Sequence, residues 1–296
     1  MRATVVKHTG SHYLLSKLPE WNLFPAVIKG KMRLEDLEST NPIAVGDIVE
    51  YEEGEMGTIK EVLPRKNCII RKSTNLSRQN HVIAANLDKV FLTVTMADPQ
   101  VKLQFVDRFL VTCEAYGVPV TILVNKADIY LQNGEAAGSK KINNAEREAI
   151  KLIAEKFKAI YNGAGYEVLE VSAVTGLNIS KLEEECRNRV VLFSGQSGVG
   201  KSSLINRMDP NLDLKTAEIS AAHLQGKHTT TFYQMHPLAT GGFVIDTPGI
   251  RGFGLVNFKK EELSNYFPEM LKVESNCKFA PCTHTHEPGC AVKDAV

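Results

Sequence analysis

Val190-Val-Leu-Phe-Ser-Gly195-Gln-Ser-Gly-Val-Gly200-Lys201-Ser202-Ser-Leu-Ile-Asn-Arg207 is the stretch on which the fold turns. The apolar run Val190–Phe193 has the length of a buried strand, and Ser203–Arg207 reads as the start of a helix. Between them lies G-x-x-x-x-G-K-S, formed by Gly195, Gln196, Ser197, Gly198, Val199, Gly200, Lys201 and Ser202, with Ser203 adjoining. Glycines let the backbone curl so that successive N–H groups point at phosphate oxygens, reinforced by the helix N-terminus. Lys201 supplies a point charge to β- and γ-phosphates, and the Ser202 hydroxyl is a Mg²⁺ ligand. The strand before and the helix after separate this motif from a chance glycine-rich turn. The expectation is an α/β protein that binds a nucleoside triphosphate.

Upstream, Asn125-Lys126-Ala127-Asp128 directly follows the apolar run Val120–Val124, at the strand end where open α/β sheets bind ligands. A carboxylate there accepts from N1–H and the exocyclic amine of guanine, whereas adenine offers no such pair. Ser172-Ala173 follows the strand expected over Glu167–Val171 and adds a backbone N–H for the guanine carbonyl. Together with the phosphate loop these residues point to GTP. Downstream, Asp246-Thr-Pro-Gly249 ends the strand expected over Phe243–Ile245. Asp246 is placed to hold Mg²⁺ through water, and the Gly249 N–H to meet the γ-phosphate. Thr229-Thr230-Thr231 offers a further hydroxyl for Mg²⁺, with Thr230 the first choice and Thr229 the second.

Around these motifs, strands alternate with helical stretches from about residue 84. Lys89–Thr95 reads as a strand, Val106–Tyr116 as a helix, and Asn143–Tyr161 as a helix with its apolar residues on one face. This pattern predicts a mostly parallel sheet covered on both faces. The polar segment Tyr130–Asn144 is expected as a surface loop. Residues 1–70 differ: Thr4–Val6, His12–Leu15, Phe24–Ile28, Asp47–Tyr51 and Gly57–Leu63 are short strands between turns. They predict a small closed β-barrel, of OB or SH3-like type.

Charge is balanced, with 35 Lys+Arg against 34 Asp+Glu, so no general affinity for nucleic acid or membrane is expected. A local bias stands out in Lys60, Arg65, Lys66, Arg71, Lys72 and Arg78, opposed only by Glu61. No apolar run approaches the roughly 18–20 residues needed to span a bilayer, and the first residues lack the apolar core of a signal peptide. Cys277-x4-Cys282-x-His284-x5-Cys290 places four soft or borderline ligands within a short segment, as in a closed structural Zn²⁺ site. His286 is the alternative to His284. Cys68, Cys113 and Cys186 sit in strand- or helix-like surroundings and are expected in the core. Thiols used this way imply a reducing, cytoplasmic setting.

The order of the motifs narrows the reading further. The two base-reading motifs precede the phosphate loop, which reverses the order usual in translation-factor-type GTPases. The chain therefore reads as a circularly permuted GTPase. Permutation, an N-terminal barrel and a C-terminal cysteine cluster together resemble the ribosome small subunit-dependent GTPase A family. The closest likeness lies in Gly226-Lys-His-Thr-Thr-Thr231 and Asp246-Thr-Pro-Gly-Ile-Arg-Gly-Phe-Gly254. The resemblance covers essentially the whole chain. It implies an OB-fold RNA-binding domain over residues 1–72, a permuted GTPase domain over 73–256 and a zinc-binding module over 257–296. It also implies GTP as substrate, Mg²⁺, one structural Zn²⁺ with His284 as the histidine ligand, and a monomer acting on the 30S ribosomal subunit and its 16S rRNA. On that reading the Lys60–Arg78 cations contact RNA phosphates. Family members continue the last helix for further turns, so the sequence is expected to stop short of their C-terminus.

Ile250 stands where many GTPases place a water-orienting Gln. An aliphatic side chain cannot orient water, so slow intrinsic hydrolysis is expected. His228, beside the threonines, is the replacement that position and resemblance both suggest, with Lys201 and Thr230 as the other catalytic groups. Two other classes compete: a constitutive metabolic GTP hydrolase, opposed by Ile250 and the flanking modules, and an RNA-binding scaffold with a silent site, opposed by intact Lys201, Ser202, Asp246 and Asp128.

Overall fold

In the computed structural model, residues 1–9, 12–28, 43–72, 80–131, 142–214, 233–247, 255 and 258–295 are described. His228, the three threonines, Gly249, Ile250, Arg78, the side chain of Lys72 and most of the expected surface loop lie outside them. Alternating apolar residues make the first strands: β1 (Arg2–Thr9), β2 (His12–Ser16), β3 (Phe24–Ile28), β4 (Ile48–Glu52) and β5 (Gly57–Val62). Val5, Tyr13, Leu15, Ala26, Val49, Tyr51 and Ile59 point inward and form one buried cluster. The strand order β1-β2-β3-β5-β4 closes by β4 pairing back onto β1, with β3 parallel to β5. That connectivity is the OB barrel, which settles the choice against an SH3-like one.

A hairpin follows, β6 (Cys68–Lys72) with β7 (Asn80–Ala85). The domain boundary expected at 72/73 falls inside this hairpin, and Val45 of the barrel segment bridges to Ala84. The next elements are β8 (Lys89–Val94), α1 (Leu103–Ala115), β9 (Val120–Val124), α2 (Asp128–Leu131), α3 (Asn144–Ala164) and β10 (Glu167–Glu170). Then come α4 (Ile179–Cys186), β11 (Val190–Gly195), α5 (Lys201–Met208), β12 (Gln234–Pro237) and β13 (Phe243–Asp246). Strands β10-β9-β8-β11-β13 are parallel, and β12 adds antiparallel to β13. The strand that leads into the phosphate loop is thus central although it comes late in the chain. Permutation can do this because it moves termini without moving the packing.

Successive residues of each buried strand feed opposite faces. Val90, Leu92, Ile122 and Leu192 pack with α1 and α3, while Phe91, Leu123, Val191 and Phe193 pack with α4 and α5. Helix α3 begins where expected because Asn143 and Glu146 form a reciprocal capping box, and Gly165 closes it in the left-handed conformation. Helix α1 starts at Leu103, earlier than the apolar spacing predicts. Cys68, Cys113 and Cys186 are buried, as expected.

Two features tie the barrel to the GTPase sheet. Lys7 of β1 pairs with Gln234 of β12, so barrel and sheet run on as a single 11-stranded sheet. Trp21, in the turn after β2, stacks on Phe243 of β13 at 5.6 Å. After β13 come short helical turns at Lys260–Tyr266 and Glu274–Asn276, α6 (Pro268–Leu271) and α7 (Ala291–Asp294). Among the described residues no helix is long and apolar enough to cross a membrane.

Among the described residues of the basic cluster, Lys60, Arg65 and Lys66 each have a carboxylate partner. Arg65 is committed to the fully buried Asp47 by two bonds, Nε to Oδ1 at 2.6 Å and Nη2 to Oδ2 at 2.7 Å. Asp47 also accepts the Ala44 N–H at 2.8 Å. Arg65 therefore has a structural partner, whatever part it takes in the RNA contact expected of the cluster. Lys60 pairs with Glu52 and Lys66 with Asp88, both at the exposed surface, where such pairs exchange readily. Asp47→Ala would leave a mostly buried guanidinium without its carboxylate and is expected to cost about 3 kcal/mol. Thermal unfolding checks this; an unchanged midpoint would contradict a buried role for the pair.

Candidate nucleotide-binding site and cysteine cluster

The site is assembled at the carboxyl ends of β8, β9, β10, β11 and β13. Gly195 and Gly200 hold positive φ, at 147° and 85°. A Cβ on Gly195 would lie 2.2 Å from the Thr93 carbonyl oxygen, and one on Gly200 would lie 2.5 Å from Asn125 Nδ2. The loop can follow this path only with glycine at both positions. Asn125 Nδ2 donates to the Val199 carbonyl at 2.8 Å. The base-reading segment is therefore strapped to the phosphate loop, although 74 residues separate them.

Lys201 is buried and its Nζ donates to the carbonyls of Gly195 and Gln196 at 3.0 and 2.9 Å. Burial pulls its pKa down to about 8, opposed only by the Asp246 carboxylate. Asp246, at the end of β13, is pushed upward by burial. Its Oδ2 accepts from the Ser202 hydroxyl at 3.3 Å, while Oδ1 is buried with no hydrogen-bond partner among the described residues. A buried acceptor of this kind is costly unless a charge meets it. A lysine held short of full charge stability beside an unsatisfied carboxylate and a hydroxyl fits phosphate and Mg²⁺, with Ser202 and Asp246 as described residues that would hold the metal.

The base end is built as tightly. Asp128 is buried at the start of α2, and Ser172 Oγ donates to its Oδ1 at 2.5 Å. Ser172 Oγ in turn accepts the Thr175 N–H at 3.1 Å. One carboxylate oxygen is thereby fixed in place, and Ala173 follows directly at the β10 end. Burial lowers the pKa of Lys126. Its Nζ donates to the Asp98 carbonyl. The structure thus brings together Asn125, Lys126, Asp128, Ser172, Ala173, the loop 195–203 and Asp246.

Two contacts were not legible as motifs. The Asp98 carbonyl positions Lys126, and a backbone oxygen leaves no signal in side-chain identity. Thr247 Oγ1 donates to the Phe193 carbonyl at 2.8 Å, pinning the end of β13 to β11; it occupies a variable position of D-x-x-G.

At the other end of the chain, Cys277, Cys282, His284 and Cys290 place one ligand atom each within 4.8 Å of one another. Tetrahedral Zn²⁺ with bonds of about 2.0–2.3 Å needs ligand atoms roughly 3.3–3.8 Å apart. His284 Nδ1 lies 3.3 Å from Cys290 Sγ and 3.7 Å from Cys277 Sγ. The set fits Zn²⁺ with all four positions taken by protein. His286 is exposed, with its ring nitrogen against Thr285 Oγ1, and falls outside the cluster.

Comparison with known proteins agrees with this geometry. A sequence model of the RsgA GTPase family matches residues 62–256. The protein named small ribosomal subunit biogenesis GTPase RsgA from Bacteroides fragilis is 46% identical over all of this chain and 91% of its own length. The protein of the same name from Flavobacterium psychrophilum is 46% identical over all of this chain and 87% of its own. Among solved structures, YjeQ from Thermotoga maritima superposes with a TM-score of 0.74 at 31% identity, covering 99% of this chain and 90% of that one. YloQ, described as a circularly permuted GTPase, gives 0.66 at 25% identity over 99% and 87%. With barrel, permuted sheet, phosphate loop and cysteine cluster all in place, the chain belongs to the RsgA GTPase family and is a circularly permuted GTP hydrolase.

Proposed function

We propose that this GTPase acts in biogenesis of the small ribosomal subunit, binding the 30S particle and hydrolysing GTP slowly until that particle stimulates it. The relatives' shared name supports the partner. The observation that carries the coupling is the pairing of β1 with β12. Gln234 lies only three residues beyond Thr231, so the strand leaving the γ-phosphate-sensing threonines is hydrogen-bonded directly to the barrel. A barrel docked on RNA would thus bear on the segment that completes the catalytic site.

In this mechanism the N–H groups of loop 195–203 and Lys201 hold the phosphates, and Asp128 with Ser172 and Ala173 reads guanine. Ser202, Thr230 and Asp246 would hold Mg²⁺, which neutralises charge on the β- and γ-phosphates. Thr230 and Gly249 sense the γ-phosphate and release it after cleavage. Ile250 cannot orient the attacking water, so intrinsic turnover is low, and His228 takes that task. His228→Ala is expected to lower kcat by about 10²–10³-fold with GTP affinity little changed. An equal loss of affinity, read by nucleotide titration, would make His228 a binding residue instead.

Cys277, Cys282, His284 and Cys290 hold one structural Zn²⁺. Lys72, Arg78 and Arg71, with Lys60 and Lys66 from their exchangeable surface pairs, contact 16S rRNA phosphates. Co-sedimentation with salt-washed subunits tests the partner. Binding to 30S and not 50S, stronger with a GTP analogue than with GDP, is expected. Lys72→Glu/Arg78→Glu should weaken it and flatten its salt dependence by roughly one to two phosphates. Equal binding to both subunits would overturn the proposal.

A further inference from the structure

The segment Thr283-His284-Thr285-His286-Glu287 offers two histidines for one ligand position. The loop is wrapped around a single carboxylate. Glu287 Oε1 accepts the Thr283 N–H at 2.8 Å and the Thr283 hydroxyl at 2.6 Å. Oε2 accepts the N–H groups of Thr285 and His286, both at 3.1 Å. With both oxygens used, Glu287 is not itself a ligand. It holds the backbone on either side of His284, which sits at φ 57°, a left-handed conformation that a non-glycine residue adopts only when its surroundings impose it. The same carboxylate fixes the His286 backbone by accepting its N–H, and the His286 ring faces Thr285 instead of the thiols.

The ring of His284 has a direction as well as a place. Nδ1 faces the two sulfurs at 3.3 and 3.7 Å. Nε2 faces Glu274 Oε2 at 4.0 Å, the distance of an electrostatic contact that one water or a small rotation closes. Glu274 opens the helical turn that ends immediately before Cys277, and the Cys277 N–H donates to its carbonyl at 3.0 Å. One short turn therefore presents a thiol to one side of the cluster and a carboxylate to the far side of the imidazole. A carboxylate on the non-ligating nitrogen keeps the proton there and leaves the other lone pair for the metal.

We propose that these two carboxylates decide how the cluster takes its metal: Glu287 selects His284 over His286, and Glu274 directs His284 to bind through Nδ1. Both are positioning residues, and the inference rests on the zinc reading of the cluster.

The test uses the full chain loaded with zinc. Long-range ¹H–¹⁵N correlation spectra of the histidine rings identify which ring is metallated and at which nitrogen, and competition with a chromophoric chelator gives the affinity. The wild-type chain should bind one zinc through Nδ1 of His284. Glu287→Ala and Glu287→Gln should weaken zinc binding about ten- to hundredfold and admit His286 as a second metallated ring. Glu274→Gln should weaken it less and give a mixture of Nδ1- and Nε2-bound His284. Thr283→Val, which removes one donor to Glu287, should give a smaller loss in the same direction and guards against failure of the Glu287 variants to fold. GDP affinity should stay at the wild-type value throughout. Metallation through Nε2 in the wild type, or unchanged affinity and ring pattern in all these variants, would overturn the proposal. A wild-type chain that takes up no stoichiometric zinc would instead sink the zinc reading on which it rests.

Discussion

Asp128→Asn should exchange the base preference of the site, with GTP affinity falling by roughly 10²–10⁴-fold and xanthosine triphosphate becoming the better ligand. Guanine presents two donors, N1–H and the 2-amino group, to a carboxylate that accepts both. Each such charge-assisted bond is worth about 1.5–3 kcal/mol, and each 1.4 kcal/mol is tenfold in affinity. Asn offers one acceptor and one donor, so its NH₂ would face the guanine amine. Xanthine carries a carbonyl at that position and restores the match. The geometry favours a clean exchange: Asp128 is buried, and Ser172 Oγ holds its Oδ1 at 2.5 Å, a bond that an Asn oxygen can keep. Competition binding with GTP, ATP and xanthosine triphosphate reads the outcome. GTP affinity within threefold of wild type would remove Asp128 from the base-reading role.

Lys201→Met should depress GTP hydrolysis by about 10²–10³-fold, the range found when one donor to a developing oxyanion is removed. It should also leave the nucleotide-free protein as stable as before, or more so. Both effects have one cause. Burial pulls the Lys201 pKa down to about 8, so in the absence of phosphate the fold carries a cation it would rather not hold. Below the ordinary lysine pKa the unfolded chain binds this proton more readily, and the penalty is felt in full below about pH 8. Met fills much the same space without that penalty, at the cost of the donor to the Gly195 and Gln196 carbonyls, while the triphosphate loses the charge aimed at it. The variant also removes the charge that holds down the raised pKa of Asp246, which weakens the magnesium position. Thermal unfolding without nucleotide, set beside the hydrolysis rate, checks both halves. A large fall in the unfolding midpoint would make Lys201 a structural residue and confound its catalytic reading.

Much of this was readable from the chain because the decisive strands are apolar runs that end in motifs. Val120–Val124, Val190–Phe193 and Phe243–Ile245 each deliver a polar group at their carboxyl end, and the sheet aligns those ends. What escaped lacked either signal. Gln234-Met-His-Pro237 is short, half polar and closed by proline, yet it is the strand that joins barrel to sheet. The hairpin Cys68–Lys72 and Asn80–Ala85 was hidden by its own cations, which read as surface charge. The pairing of Arg65 was hidden for a related reason: its partner Asp47 is 18 residues away, and nothing local announces a buried ion pair. The four candidate thiol and imidazole ligands stood out by spacing, whereas Glu274 and Glu287 lie against the backbone and the far side of a ring. Such roles become visible only when distances are known.

The most direct test of the account is steady-state GTP hydrolysis by the zinc-loaded chain, measured alone and with salt-washed 30S or 50S subunits. The account predicts slow turnover alone, strong stimulation by 30S and none by 50S. Fast turnover that no subunit changes would contradict it and mark a constitutive hydrolase.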